Sequence, residues 1–302
     1  MRKIVVKLVG TILVIWILST LVDFDLIKST LSRCDRQNIL NATILTLICP
    51  VIISTRLLLF VKLFNSDCTF YSCIKTSLSG LSLNLFIPAR GGDFIKIIYL
   101  KQGTKNSWGN LINAAIWERV FDVFAILFLG ILGSILIKDL ILTLLFTSIV
   151  IMVFFVFFLL NKFGDRVFRN SKFQSVLHSS NQIYSNFSLS ILAFLNCLVC
   201  WSFNVCIMGN LLMAVDPNMS FLHSLYATPP SILGGILPIS LWGIGTRDGI
   251  FAYCLQQFTA PENSISAGFL YTVHVYWLLG ILGIPFLFFA TKLKRSLKEE
   301  SR

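Results

Sequence analysis

Charge is scarce in this chain. Of its 302 residues only 13% are Asp, Glu, Lys or Arg, about half the share of an ordinary soluble domain. Apolar residues make up 56%, and the mean hydropathy is +0.80. So few charges cannot cover so much apolar side chain in water. That excludes a disordered chain, a secreted disulfide module and an ordinary cytosolic enzyme, and it points to a polytopic membrane protein counted in bilayer crossings of about 20 residues each.

Acidic residues are scarcer still: 14 against 25 basic ones, a net charge of +11. In a soluble protein that excess would suggest nucleic acid. Here the basic residues lie in short stretches between apolar runs, where they set topology. An RNP pattern, zinc-finger spacing and a GxxxxGK[ST] loop are all missing, so neither a nucleic-acid role nor an ATP-driven pump has support. Cys197 and Cys200 form a CxxC inside an apolar run, and no second Cys or His pair stands at ligand spacing. The eight cysteines therefore read as packing residues, with no metal and no cofactor expected. No Ser–His–Asp or Cys–His arrangement suggests itself.

What is present is a series of apolar runs at 4–22, 39–62, 109–137, 140–160, 187–215 and 264–290. The first follows Arg2, Lys3 and Lys7 and has no A-x-A-like cleavage site, so it reads as an uncleaved span with its N-terminus in the cytoplasm. Two further segments, 73–88 and 221–242, are apolar but interrupted, the first by serines, a Gly, an Asn and a Lys, the second by prolines and a Gly-Gly pair. Freed backbone groups cannot stay bare in hydrocarbon, so such segments must be wrapped by protein or line a wet cavity.

Basic residues cluster at 89–108, at 161–186 and in the C-terminal tail. If both interrupted segments cross fully, the first two stretches face outward against the positive-inside bias. If both dip in and return, every basic stretch and both termini face the cytoplasm. The expectation is therefore an all-α protein with six full spans and two re-entrant segments, in a single transmembrane domain over 1–302; eight full crossings is the alternative. Three crossings and one interrupted segment per half would give an inverted repeat, with halves 1–138 and 139–302.

Charge inside the apolar profile is the strongest functional signal, because an Arg, Lys or Asp at a span centre costs roughly 2.5–3.5 kcal/mol. Glu118, Arg119 and Asp122 open an otherwise apolar run, with the two acids on one helix face and Arg119 within reach of Asp122. Trp108 and Trp117 suit a headgroup-level belt. Pro88-Ala89-Arg90-Gly91-Gly92-Asp93 ends the first interrupted segment: its glycines allow close backbone approach, and Arg90 offers a fork for phosphate or carboxylate. Gly243-Ile244-Gly245-Thr246-Arg247-Asp248 follows the second. A dinucleotide loop is dismissed there for want of strand–helix context. His274, beside Tyr271, Tyr276 and Trp277, reads as a packing histidine before a proton relay. Asp23 and Asp25 form a weaker acidic pair.

Taken in order, Pro-x-Arg-Gly-x-Asp, then Glu118-Arg119-x-x-Asp122, then Gly-x-Gly-x-Arg247-Asp248 resemble the lysylphosphatidylglycerol synthase transmembrane region, also called the flippase-like domain family, over roughly 5–290. The late motif departs from the family's more usual Arg-Glu. The resemblance implies movement of a charged-headgroup lipid, such as an aminoacyl-phospholipid or a polyprenyl-phosphate-linked glycan. With the sequence ending at Arg302, no aminoacyltransferase part is expected, so lysyl transfer is not.

Under this reading Arg90, Arg119 and Arg247 contact the headgroup. Asp93, Glu118, Asp122 and Asp248 position those arginines or bind a cationic headgroup, and Gly91, Gly92, Gly243 and Gly245 allow backbone approach. The expected partners are a membrane lipid and a separate lipid-modifying synthase or glycosyltransferase, with no nucleic acid. The expected location is the cell membrane of a prokaryote. An integral-membrane lipid or glycosyl transferase, or a non-catalytic accessory protein of such a pathway, are the alternatives.

Overall fold

The computed structural model describes residues 30–86, 92–101, 106–167, 172–236 and 245–287, with backbone alone at 86, 93–95, 157, 160–161, 163–167 and 172–178. Every regular element among them is helical. Among the described residues, four helices are long and apolar enough to cross a membrane: α1 (Arg36–Leu63), α4 (Trp108–Ile137), α7 (Phe187–Val215) and α10 (Pro261–Leu287). Between them lie α2 (Phe70–Phe86), α3 (Gly92–Lys101), α5 (Leu140–Val167), α6 (Lys172–Ser185), α8 (Phe221–Ile236) and α9 (Thr246–Leu255). The first apolar run, 4–22, lies outside the described residues, as do Asp23 and Asp25.

The long helices start and stop on local signals. Asp35 caps α1 by accepting from the N–H groups of Gln37 and Asn38, and Ser107 caps α4 by accepting from Gly109. Pro261 stands at the first turn of α10, where its missing N–H costs nothing. Helix α4 stops at Lys138, a non-glycine residue at φ 65°. From Thr272 to Leu278, α10 widens into a π-helix, a form that often marks functional positions.

α1 and α7 run antiparallel side by side, with the Asp35 N–H donating to the Ala214 carbonyl at 2.8 Å. Two helical hairpins pack into this frame, α2 with α3 and α8 with α9. Each is tied at its base. Asn106 donates from Nδ2 to the Asp67 carbonyl at 2.8 Å and accepts the Asp67 N–H on Oδ1 at 2.9 Å. In the second hairpin, Thr259 and Asn263 donate to Asp216 Oδ2 at 2.6 and 3.3 Å. The first base lies where α1 ends and α4 begins, the second where α7 ends and α10 begins. Because α1 and α7 are antiparallel, the two bases sit at opposite ends of the bundle.

Within lipid, helix association relies on close packing and small residues rather than on expulsion of water. Each hairpin meets a long helix through glycine. Pro229 in α8 lacks an N–H and so frees the Leu225 carbonyl. That carbonyl lies against Gly133 of α4, where an added methyl group would come within 2.5 Å of it. Gly280 and Gly283 of α10 face Leu85 and the Leu78 carbonyl of α2, and Ser82 donates to the Gly280 carbonyl at 2.5 Å.

Two sequence expectations need correction. The basic stretch 161–186 is not a loop: α5 runs on to Val167 and α6 begins at Lys172. The interrupted segments are less broken than their composition suggests, since α2 is continuous across its serines and α8 passes through Pro229-Pro230. Ser231 and Ser224 turn their hydroxyls onto the Thr228 and Val205 carbonyls, which keeps those polar groups satisfied.

Candidate functional site

Glu118 and Asp122 stand one turn apart on α4, as their spacing predicts, and both are buried. Their main partner is a residue the sequence reading missed. Arg56, from the second half of α1, donates from Nε to Glu118 Oε1 at 3.0 Å and from Nη1 to Asp122 Oδ1 at 2.7 Å; its Nη2 lies 2.8 Å from Glu118 Oε1. The Trp201 indole N–H of α7 adds a donor to Asp122 Oδ1 at 2.9 Å, and Arg119 reaches Asp122 Oδ2 at 3.3 Å. Cys200 accepts a long contact from Arg56 on its sulfur. One carboxylate thus joins α1, α4 and α7. Isolated buried charges would be prohibitive, and this mutual pairing is what lets them exist in the apolar interior.

Lys96 was grouped with topology-setting charges in the connecting stretch 89–108. It sits instead on α3, is buried, and places Nζ 4.0 Å from Glu118 Oε1. Its helix is carried into the protein by the first hairpin. Gly92 makes that approach feasible: its N–H donates to Asn84 Oδ1 at 2.9 Å, and a Cβ there would collide with the Gly80 carbonyl. Gly92 therefore lets the two hairpin arms meet closely. Trp117, expected in a headgroup belt, is buried and donates to Ser179 Oγ at 2.9 Å, whereas Trp108 is half exposed.

Arg247 and Asp248, at the start of α9, form a second buried pair. Arg247 donates to Asp248 Oδ1 from Nε (2.9 Å) and Nη2 (2.5 Å), and from Nη2 to the Gly268 carbonyl (3.0 Å) and Thr272 Oγ1 (2.6 Å). Its guanidinium lies 4.9 Å from the Tyr271 ring centroid and 5.5 Å from that of Tyr276. Gly245 takes φ 88°, a conformation glycine supplies without strain, and its N–H donates to Asp248 Oδ2 at 3.2 Å. Gly245 thus makes the turn into α9. With most of its donors engaged by α9 and α10, Arg247 holds the second hairpin to α10.

Between the two clusters lies a cavity of about 80 Å³, room for several water-sized groups. Arg56, Lys96 and Arg119 line it, together with Asn84 and Asn204. Leu81, Leu85 and Leu279 are among its apolar walls. Tyr276 also lines it, and Tyr271 donates to Asn204 Oδ1 at 2.7 Å, so the Arg247 cluster borders the same space. Glu118 and Asp122 are not among the lining residues described; they sit behind the cations they hold. His274 is buried, with Nδ1 2.8 Å from the Leu270 carbonyl and Nε2 3.1 Å from Thr43 Oγ1 of α1.

Arg90, Gly91 and Gly243 lie outside the described residues, as does the side chain of Asp93. No group of three His, Cys, Asp or Glu side chains among the described residues is placed to hold a metal. All eight cysteines are described and carry free thiols. Arg56 left a signal in the sequence, since one guanidinium inside the run 39–62 marks a buried partner by the same cost argument that singles out Glu118. Lys96 left none, because only the folding back of α3 carries it inside.

No curated protein shows significant similarity to the chain. A family model described as the lysylphosphatidylglycerol synthase TM region matches residues 4–283, nearly the whole sequence. With that match, the apolar long helices and the buried charges between them, the chain belongs to the lysylphosphatidylglycerol synthase transmembrane-region family and is an integral membrane protein.

Proposed function

We propose that this protein moves a lipid with a charged headgroup from one leaflet to the other. The single observation that carries the reading is the polar cavity lined by Arg56, Lys96 and Arg119 between helices whose outer faces are apolar. A headgroup crossing hydrocarbon alone loses its hydration, and fixed charges inside the protein offer it a substitute. The acyl chains stay in lipid while the headgroup passes. The substrate is an aminoacyl-phospholipid or a polyprenyl-phosphate-linked glycan, supplied by a separate synthase or glycosyltransferase. Transport is passive or ion-coupled.

The proposed topology has six crossings and two hairpins that dip in from opposite faces, an inverted repeat with halves 1–138 and 139–302. The bridged bases at Asp67/Asn106 and at Asp216/Thr259, at opposite ends of the bundle, support it. Lys62 near the end of α1, Lys75 in α2 and Lys101 at the end of α3, on the side of the first base, support the reading that this base, with both termini, faces the cytoplasm of a prokaryotic cell. A transferase reading is weaker. Its general base would have to face the substrate, and Glu118 and Asp122 are turned onto Arg56.

The test is reconstitution of the full chain in liposomes carrying a tail-labelled phospholipid, with a membrane-impermeant quencher added outside. Translocation predicts quenching well beyond the outer-leaflet half. Quenching no greater than in protein-free liposomes overturns it. A chemically altered lipid recovered from the same vesicles would favour the transferase.

A further inference from the structure

We infer that Cys68 and Cys73, at the base of the first hairpin, are an oxidant-reactive dithiol: a hydroperoxide oxidises Cys68, and Cys73 converts the product into a disulfide. The inference goes beyond the translocation reading and does not depend on it. The two sulfurs lie 3.0 Å apart, five positions along the chain. Both are free thiols. Joining them in a disulfide bond of about 2.05 Å takes a movement of about 1 Å.

The backbone builds this approach. Thr69 opens α2: its hydroxyl accepts the Ser72 N–H at 3.2 Å, and its carbonyl accepts the Cys73 N–H at 3.1 Å. That turn brings Cys73 back to Cys68. On the other side, Asn106 holds both backbone groups of Asp67. Cys68 is thus fixed between two anchored neighbours, and the thiols meet without the entropy cost of closing a free loop.

The two thiols differ in their surroundings. Cys68 is half-buried, in a stretch where Asp67 and residues 69–72 are exposed. Cys73 is 0% exposed and belongs to the apolar cluster of Leu57, Val61, Ile97 and Leu100. A hydroperoxide therefore meets Cys68 first. The Cys73 thiol, as donor, holds the Cys68 thiol below its ordinary value; Lys62 helps, against burial and Asp67. The thiolate is the attacking form, and a redox-sensing cysteine combines it with access and a resolving partner. Cys34 is the contrast. It is half-buried too, but its thiol donates to the Thr30 carbonyl at 3.5 Å and burial pushes it up.

The chemistry balances on these two residues and one hydrogen peroxide. The Cys68 thiolate attacks a peroxide oxygen, the O–O bond breaks, and the leaving hydroxide takes up the Cys68 proton as water. Cys68 is then a sulfenic acid. The Cys73 sulfur attacks the Cys68 sulfur, the S–S bond forms and the S–O bond breaks. The departing hydroxide takes the Cys73 proton as a second water. With this base on the cytoplasmic side, small thiols of that compartment reduce the disulfide again.

The test treats the full chain in non-ionic detergent with hydrogen peroxide, blocks remaining thiols with N-ethylmaleimide and maps the cysteines by mass spectrometry. The expected result is a linked peptide joining Cys68 to Cys73, reversed by dithiothreitol, with the Cys68 thiol lost at least about tenfold faster than that of Cys34. Cys73→Ala is expected to stop at the Cys68 sulfenic acid, trapped by dimedone. Cys68→Ser is expected to leave Cys73 unoxidised. Cys68→Ser, at a half-buried side chain, keeps the order of attack testable if Cys73→Ala does not fold.

Treated parent protein in which both thiols still alkylate as before treatment overturns the proposal. So does oxidation of Cys73 at the parent's rate in folded Cys68→Ser protein. Protein whose thiols are blocked at cell lysis and which already carries the linked peptide supports the pair and contradicts the cytoplasmic placement of this base.

Discussion

Arg56 and Glu118 are 62 residues apart in the chain, yet their side chains meet at 2.8 Å, each almost wholly buried. The pair links α1 to α4 in the apolar interior, and Asp122 extends it to α7 through Trp201. Such a network is costly to assemble, but far costlier to leave half-made.

Removing one partner strands the others. Arg56→Met leaves Glu118 and Asp122 buried with a much-reduced counter-charge and is expected to destabilise the fold by about 3–5 kcal/mol. Adding Glu118→Gln and Asp122→Asn to Arg56→Met is expected to recover much of the loss. Thermal unfolding in detergent measures both; a single variant as stable as the parent contradicts the assignment.

Glycine contacts between hairpin and long helix give a paired prediction. At Gly133 a methyl group would meet the Leu225 backbone, whereas at Gly249 it would meet nothing within 4 Å. Gly133→Ala is expected to cost about 1–3 kcal/mol through overpacking. Gly249→Ala, inside α9, is expected to be neutral or to stabilise by about 0.4–1 kcal/mol. Comparing the two unfolding midpoints separates close helix approach from a general dislike of alanine.

Opposed hairpins predict opposed labelling. Thr69 lies at the first base and Gln257 at the second, and both are exposed. In intact cells a membrane-impermeant maleimide is expected to modify Gln257→Cys from outside, and Thr69→Cys only after permeabilisation. Labelling of both from one side contradicts the topology.

Asp216 gives the second base a pH dependence. Burial alone would push its carboxyl up, but hydrogen bonds from Thr259, the Asn218 backbone and Asn263 outweigh it and hold the carboxyl below the usual carboxylate range. A depressed folded value means the stabilisation is complete above the unfolded pKa, about 3.9, and fades as pH falls through the lower folded value. Amide exchange at 256–263 is therefore expected to quicken in strong acid in the parent protein, while Asp216→Asn shows fast exchange already at neutral pH.

Much of the frame was legible in the sequence, and the reasons are local. The runs at 109–137 and 187–215 match α4 and α7 to within a residue, because apolar length and capping residues such as Ser107 are written in adjacent positions. The spacing of Glu118, Arg119 and Asp122 correctly put the two acids on one face and Arg119 on Asp122. The partners were less visible. Arg56 looked like one residue of a span, and Lys96 like a loop charge, because their burial depends on contacts 62 and 22 residues away. The bonds of Arg247 to Gly268 and Thr272 were likewise invisible, because their acceptors lie 21 and 25 residues further along the chain.

The central claim is that cations facing the cavity let a headgroup through, and the most direct measurement is the translocation rate of the Lys96→Gln/Arg119→Gln double variant in liposomes. Tyr253→Ser, at an exposed residue away from the cavity lining, serves as the control. The expected result is a rate at least about tenfold below the parent in the double variant, the loss of one charge-assisted hydrogen bond or more, with the control unchanged. A folded double variant that moves lipid as fast as the parent would contradict the account.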